Sequence, residues 1–265
     1  MSDVPAKYSA QLDEIHRALE GVDGWLTERE IAFLTLLAAC PTCDGDILEI
    51  GAYRGKSTIV LAKAAKLAGG ARLVTVDPLP DDGPMGRGRN SRQSARAQLD
   101  ANLKRAGVAD CVEVHQCYSQ DFAPKWQGRL RLLWLDGAEN YDVVRGDIQS
   151  FSPSLGDGGI IAMHDVLNAS GERIRGFMEH VLKSPHFGCA GVCGSIGWAQ
   201  YRSDPIHTIV HRKSKNRLYR LLAPLVRYHG GSRVPRGLPR LFYKLLRARV
   251  PHRAVDPDGW VRMVA

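Results

Sequence analysis

The sequence predicts an α/β fold built on a mostly parallel sheet with helices on both faces. Three observations predict it. Short apolar runs alternate with helical stretches along the first 200 residues, the pattern of a covered parallel sheet. One run, Ile47-Leu48-Glu49-Ile50, passes at once into a glycine turn and then a helix. Four runs end in Gly51, Asp77, Asp136 and His164-Asp165, polar residues at the strand ends where such sheets bind ligands.

Each element has its own signal. Residues 8–20 have the spacing of an amphipathic helix. Thr27-Glu28-Arg29-Glu30 is a capping box, in which hydroxyl and carboxylate each satisfy a free backbone N–H; it opens a helix over Ile31–Ala39. Asp46–Ile50 reads as a buried strand, Lys56–Leu67 as a helix closed by Gly69-Gly70, and Arg72–Val76 as a strand. Residues 79–91, rich in Gly, Pro, Asp and Arg, read as a mobile loop over a site. A helix over Ser91–Ala106, strands at Val112–His115 and Leu130–Leu135, a helix over Tyr141–Phe151, a strand at Gly159–Met163 and a helix over Gly171–Leu182 follow. Extended runs near 187–193 and 196–201 meet at Gly194-Ser195 as a hairpin and bring the sheet to seven strands. Trp126, Trp134 and Trp198 read as core residues.

A length of 265 residues with 44% hydrophobic content accommodates one large domain with an appendage. The expected division is 1–203, whose first 45 residues are helical, and 204–265. No apolar run has the length of a membrane span, and the first residues lack a secretory pattern. The expected location is the cytoplasm, with attachment to the inner face of a membrane left open. The six cysteines are expected as reduced thiols; Cys40-Pro-Thr-Cys43 closes a helix, the wrong context for a redox motif. Its alternative is a zinc site shared with Cys189 and Cys193. The net charge of +8 is uneven: residues 1–200 carry about −4 and residues 201–265 about +12.

Three ligands compete for the turn at Gly51-Ala52-Tyr53-Arg54-Gly55-Lys56-Ser57-Thr58. A triphosphate loop needs four residues between its glycines, and here there are three. A dinucleotide fingerprint needs a glycine where Tyr53 stands. The third reading needs no phosphate: Glu49 accepts from an ammonium group and Asp77 from ribose hydroxyls, which suits S-adenosylmethionine.

With those residues in place, Ile47–Thr58, Leu73–Pro78, Leu132–Phe151 and Gly158–Val166 resemble class I S-adenosylmethionine-dependent methyltransferases. The branch that Leu135-Asp136-Gly137-Ala138-Glu139-Asn140-Tyr141, Asp147 and Gly158–Val166 most resemble is the metal-dependent O-methyltransferases of sugars and natural products. The resemblance spans roughly residues 30–202 and implies a Rossmann-like domain. It implies that Glu49, Gly51, Gly55 and Ser57 line the methionine part of the cofactor. Asp77 would hold the ribose, Ser119 would lie near the adenine, and Asp136 would be counted with the cofactor contacts. Asp136 and Asp165, with His164 as a third ligand, would bind a divalent metal, Mg²⁺ by the hardness of the oxygen donors. This branch carries a histidine base three residues after its first metal aspartate; here that position is Glu139. Glu139 and His164 therefore share the candidacy for general base.

The resemblance implies metal-assisted methylation of a hydroxyl on a saccharide or small hydroxylated metabolite. The alternative is a binding module that keeps the cofactor crevice and works through its tail. Plainer roles stand beside each residue: helix caps for Asp136 and Asp165, a structural His164, a solvated Glu139 and a surface Asp147.

In the tail, Leu218, Leu221, Leu222, Leu225 and Val226, then Leu238, Leu241, Phe242, Leu245 and Leu246, have helical spacing among basic residues, with Gly230-Gly231-Ser232 between them. Packing on the domain or a second subunit, an anionic membrane surface and nucleic acid are its expected partners, nucleic acid the least favoured for want of a reading motif.

Overall fold

The computed structural model describes residues 4–80, 94–169, 172–229 and 236–264. Most of the predicted 79–91 loop, the Gly230-Gly231-Ser232 break and Gly171 lie outside the described residues.

Two helices, α1 (Tyr8–Ala18) and α2 (Glu28–Ala39), precede the sheet. The Thr27–Glu30 box forms as read: Thr27 N donates to Glu30 Oε2 at 2.9 Å, and Glu30 N donates to Thr27 Oγ1 at 3.4 Å. The chain then alternates: β1 (Asp46–Ile50), α3 (Lys56–Ala65), β2 (Leu73–Val76), α4 (Ala95–Arg105), β3 (Val112–His115), α5 (Ser119–Phe122), β4 (Leu130–Leu135), α6 (Tyr141–Phe151), β5 (Leu155–Met163), α7 (Arg173–Gly176, running into a π-helical segment Phe177–Leu182), β6 (Phe187–Cys193) and β7 (Ile196–Tyr201). The sheet order is β3-β2-β1-β4-β5-β7-β6. The first five strands are parallel; β7 runs antiparallel to β5, and β6 pairs antiparallel with β7 at the sheet edge. This is the Rossmann-like seven-stranded arrangement expected. The order reverses between β1 and β4, the switch point at which such sheets open a crevice.

Successive strand residues point to opposite faces, so the sheet has two cores. Ile47, Leu132, Trp134, Ile160, Ala162 and Trp198 pack under α1, α2, α3 and α4. Leu48, Ile50, Val74, Leu133, Leu135 and Ile161 pack under α6 and α7. Trp134 and Trp198 are core residues as read, while Trp126 is only partly buried against the second core.

The tail contributes to both cores. Leu218 and Leu222 of α8 (Arg212–Leu222), Leu225, Tyr243 of α9 (Leu238–Ala248) and Val250 join the second. Trp260 and Val264 of α10 (Pro257–Val264) join the first. Trp260 is fully enclosed between Phe33 and Trp198, its ring centroid 5.8 and 4.9 Å from theirs, and Nε1 donates to Cys40 O at 3.3 Å.

Candidate active site

The carboxyl ends of β1, β2, β4 and β5 bring together Gly51, Asp77, Asp136, His164 and Asp165. Gly51 has φ +94°, and a Cβ there would lie 2.6 Å from the backbone of Asp136. The glycine lets the ends of β1 and β4 meet. Gly55 starts α3 with φ +84°, and a Cβ would meet Leu99 at 2.7 Å. Asp77 fastens the turn between them: Oδ2 accepts from Ala52 N at 2.7 Å and Tyr53 N at 2.8 Å, while Oδ1 accepts from Leu79 N at 2.7 Å. Tyr53, Leu79 and Asp165 are the non-glycine residues with positive φ among the described residues. All three follow strand ends in this crevice, a concentration of backbone strain typical of functional sites.

Glu49 is not open to the crevice. It is fully buried, and its two oxygens accept from Ser57 Oγ and Thr58 Oγ1, each at 2.6 Å. Burial pushes its carboxyl up to about 7 against the pull of those hydroxyls. The geometry therefore makes Glu49 and Ser57 a polar tie between β1 and α3. Ser119 likewise faces inward. It is 8% exposed and donates to Asp147 Oδ1 at 2.5 Å. Asp147, read from sequence as a surface residue, is buried at 5% exposure because α6 turns it against α5.

Burial raises the Asp147 carboxyl from 3.8 to about 6, while the Ser119 hydroxyl pulls it down. The folded state then holds this proton more tightly than the unfolded chain, so Asp147 costs stability progressively as pH rises from about 4 to 6. Asp147→Asn, which keeps an acceptor for Ser119, is expected to be more stable than the parent above pH 6 by about 2–3 kcal/mol. The difference should vanish below pH 4. Thermal melts of the two proteins across this range measure it, and a difference independent of pH would contradict the assignment.

On the other side of the crevice a charged cluster spans four elements. His164 is 3% exposed. Its Nδ1 lies 3.1 Å from Asp136 Oδ1 and 3.7 Å from Asp165 Oδ2, and its Nε2 lies 3.7 Å from Glu30 Oε2. Burial opposes its charge, but the Asp136, Glu30 and Asp165 carboxylates prevail and raise it to about 10. Glu30 is 3% exposed; Oε1 accepts from Ser195 N at 2.7 Å and Ser195 Oγ at 2.6 Å. Although burial works against it, His164, Ser195 and Thr27 hold Glu30 well below the usual carboxylate range.

The second cation is Arg173, 5% exposed. Its Nη1 lies 3.2 Å from Asp165 Oδ2 and 3.6 Å from Asp136 Oδ1. Nε donates to Ala138 O at 3.4 Å and Nη2 donates to Gly137 O. Asp136 and Asp165 do not cap the following helices. Asn140 caps α6, accepting from Asp142 N at 2.9 Å, and Glu172 stands at the start of α7.

The residues present do not fit a divalent metal. A guanidinium and an imidazole already lie between the two carboxylates that would ligate it, and a cation there would meet like charge. Among the described residues no group of three or more His, Cys, Asp or Glu side chains is arranged to hold a metal, which covers the cysteine alternative as well. Burial pushes the Cys40 and Cys193 thiols up to about 11. Glu139 is exposed and makes no hydrogen bond or ion pair among the described residues; only its backbone O is engaged, by Glu172 N at 2.8 Å.

Sequence reasoning missed Arg173, Glu30 and Ser195. Glu30 carried a signal only as a capping acid. Arg173 carried none that separates it from Arg175, which pairs with Glu172 at 2.9 Å near the surface.

Comparison with known proteins agrees with this fold. Residues 48–166 match the family described as "Methyltransferase domain". Among solved structures, the cofactor-bound Rv0187 from MTB is 24% identical, with 74% of this chain and 89% of that one covered and a TM-score of 0.52. An O-methyltransferase from Bacillus cereus in complex with SAH is 21% identical, covering 72% and 90%, with a TM-score of 0.51. The O-methyltransferase TomG from Streptomyces achromogenes, in complex with SAM, is 20% identical, covering 77% and 92%, with a TM-score of 0.52. The family match covers residues 48–166, and the likeness to these solved structures is one of fold.

Proposed function

We propose that this enzyme methylates a hydroxyl of a small hydroxylated acceptor, saccharides included, and does so without a divalent metal between Asp136 and Asp165. The observation that carries the reading is the pairing, at one sheet end, of an Asp77-fastened glycine turn with the charged cluster of Asp136, His164, Asp165 and Arg173. The solved O-methyltransferases of the same fold support the reaction class.

S-adenosylmethionine supplies a methyl group on a sulfonium. The open turn with its closely approaching backbone suits it, and Asp77 keeps one acceptor site beyond the three amide bonds it accepts. Transfer forms an O–CH₃ bond as the S–CH₃ bond breaks; the sulfur keeps the electron pair and the hydroxyl proton must leave. Asp136 and Asp165, about one-fifth exposed, offer oxygens that can hold an acceptor hydroxyl. Arg173 and His164 fix those carboxylates from behind and supply the positive charge that a metal would otherwise bring. His164, enclosed by three carboxylates, is a positioning residue rather than the base. Glu139 is the solvent-facing acid on the same loop as Asp136, and it is the base of this proposal. Much of the acceleration then rests on alignment of donor and acceptor.

Turnover of S-adenosylmethionine with a panel of hydroxylated acceptors, in EDTA and in Mg²⁺, tests the reading. Equal rates in both are expected. Activity only with Mg²⁺ would overturn the metal-free mechanism, and cofactor binding without turnover on any acceptor would favour the binding module that Glu139 in place of histidine also suggests.

A further inference from the structure

Helix α9 turns its apolar spacing the opposite way from that expected of a packed helix. Leu238, Leu241, Phe242 and Leu245 are 70, 53, 54 and 57% exposed. The inner face is instead Tyr243, which is buried, with Leu246 partly buried beside it; Val250, just beyond the helix, is buried as well. Tyr243 OH donates to Leu167 O, two residues beyond Asp165, and so pins the helix to the domain. At about 100° per residue the four exposed side chains fall within an arc of about 100°. Arg240 and Lys244, both exposed, border that arc on one side.

The surroundings carry one sign of charge. Between Pro205 and Val255 the chain holds 13 Lys and Arg and no Asp or Glu. A second copy of the chain would set this charge against itself. Nucleic acid would satisfy the charge and leave the Leu238–Leu245 stripe in water. A bilayer surface with anionic headgroups satisfies both.

We propose that α9 is an interfacial anchor that docks this enzyme on an anionic membrane surface, its four apolar side chains entering the headgroup boundary and Arg240 and Lys244 pairing with lipid phosphates. Among the described residues no helix is long and apolar enough to cross a membrane, so the attachment is peripheral. The inference stands independently of the acceptor and of the metal-free mechanism.

The test is co-sedimentation of the intact protein with phosphatidylcholine vesicles, with and without phosphatidylglycerol, at low and raised salt. The parent is expected to partition at least about tenfold more strongly onto the anionic vesicles, weakening with salt. The double variant Leu241→Asp/Phe242→Asp is expected to lose that binding while keeping its melting temperature, because both side chains are exposed. Equal pelleting with both lipids, or none, would overturn the proposal. So would binding to vesicles or to duplex nucleic acid that the double variant leaves unchanged, which would assign the surface to phosphate capture by charge alone. Reversible dimerisation abolished by the double variant, without vesicle binding, would assign the stripe to a second copy.

Discussion

Arg173→Ala is expected to destabilise the protein and to turn its crevice into a cation site. The guanidinium is nearly enclosed and gives hydrogen bonds to Gly137 O and Ala138 O besides facing Asp136 and Asp165. Removing one partner of a buried ion pair costs about 3–5 kcal/mol. The lower end applies here, because the two carboxylates retain some contact with water and are screened. The electrostatic consequence is more specific. With Arg173 gone, His164 is the one cation left against the two aspartates among the described residues, and their carboxylates become hard oxygen donors of the kind that take Mg²⁺ or Mn²⁺. Calorimetry should show no divalent binding by the parent and measurable binding by the variant, lost again in Arg173→Ala/Asp136→Asn. Binding of Mg²⁺ by the parent that disappears in Asp136→Asn would restore the metal reading and remove the role given to Arg173.

Trp260→Ala is expected to have a comparable effect on stability from the far end of the chain. The indole is fully buried between Phe33 and Trp198 and hydrogen-bonded to Cys40 O. Truncating a buried tryptophan costs about 3–5 kcal/mol through lost burial and the cavity left behind. The tail is also held by the buried Leu218, Leu222, Leu225, Tyr243 and Val250, by Lys215 Nζ donating to Ser184 O at 2.8 Å, and by Gln200 Nε2 donating to Val264 O at 2.9 Å. Denaturant melts should show one transition at a lower midpoint, with proteolysis now reaching the last residues first. An unchanged midpoint would mean that α10 is not part of the folding unit.

Much of this fold was legible because its strands are short, apolar and bounded by glycine or acid, so that period and punctuation agree. β5 begins earlier than read, at Leu155 rather than Gly159, because Gly156, Asp157 and Gly158 break the apolar run that marks a strand. The site was legible in its members and less so in their orientation. Glu49 sits where an acid beside a ligand is expected, but Ser57 and Thr58 from the first turn of α3 reach its oxygens, a contact no strand pattern announces. Arg173 could not be singled out, since its partners arrive from β4 and the β5 loop only in three dimensions. The apolar spacing of α9 announced a helix and was silent on which side faces the domain. Tyr243, an ordinary aromatic in the sequence, took the inner position and left the leucines outside.

The most direct test of the central claim is titration of S-adenosylhomocysteine into the intact protein, in EDTA, beside Asp77→Ala. Saturable micromolar binding by the parent, unchanged by Mg²⁺ and lost in a variant that still melts cooperatively, is the result this account predicts. A folded parent protein that binds no S-adenosylhomocysteine under either condition would contradict it.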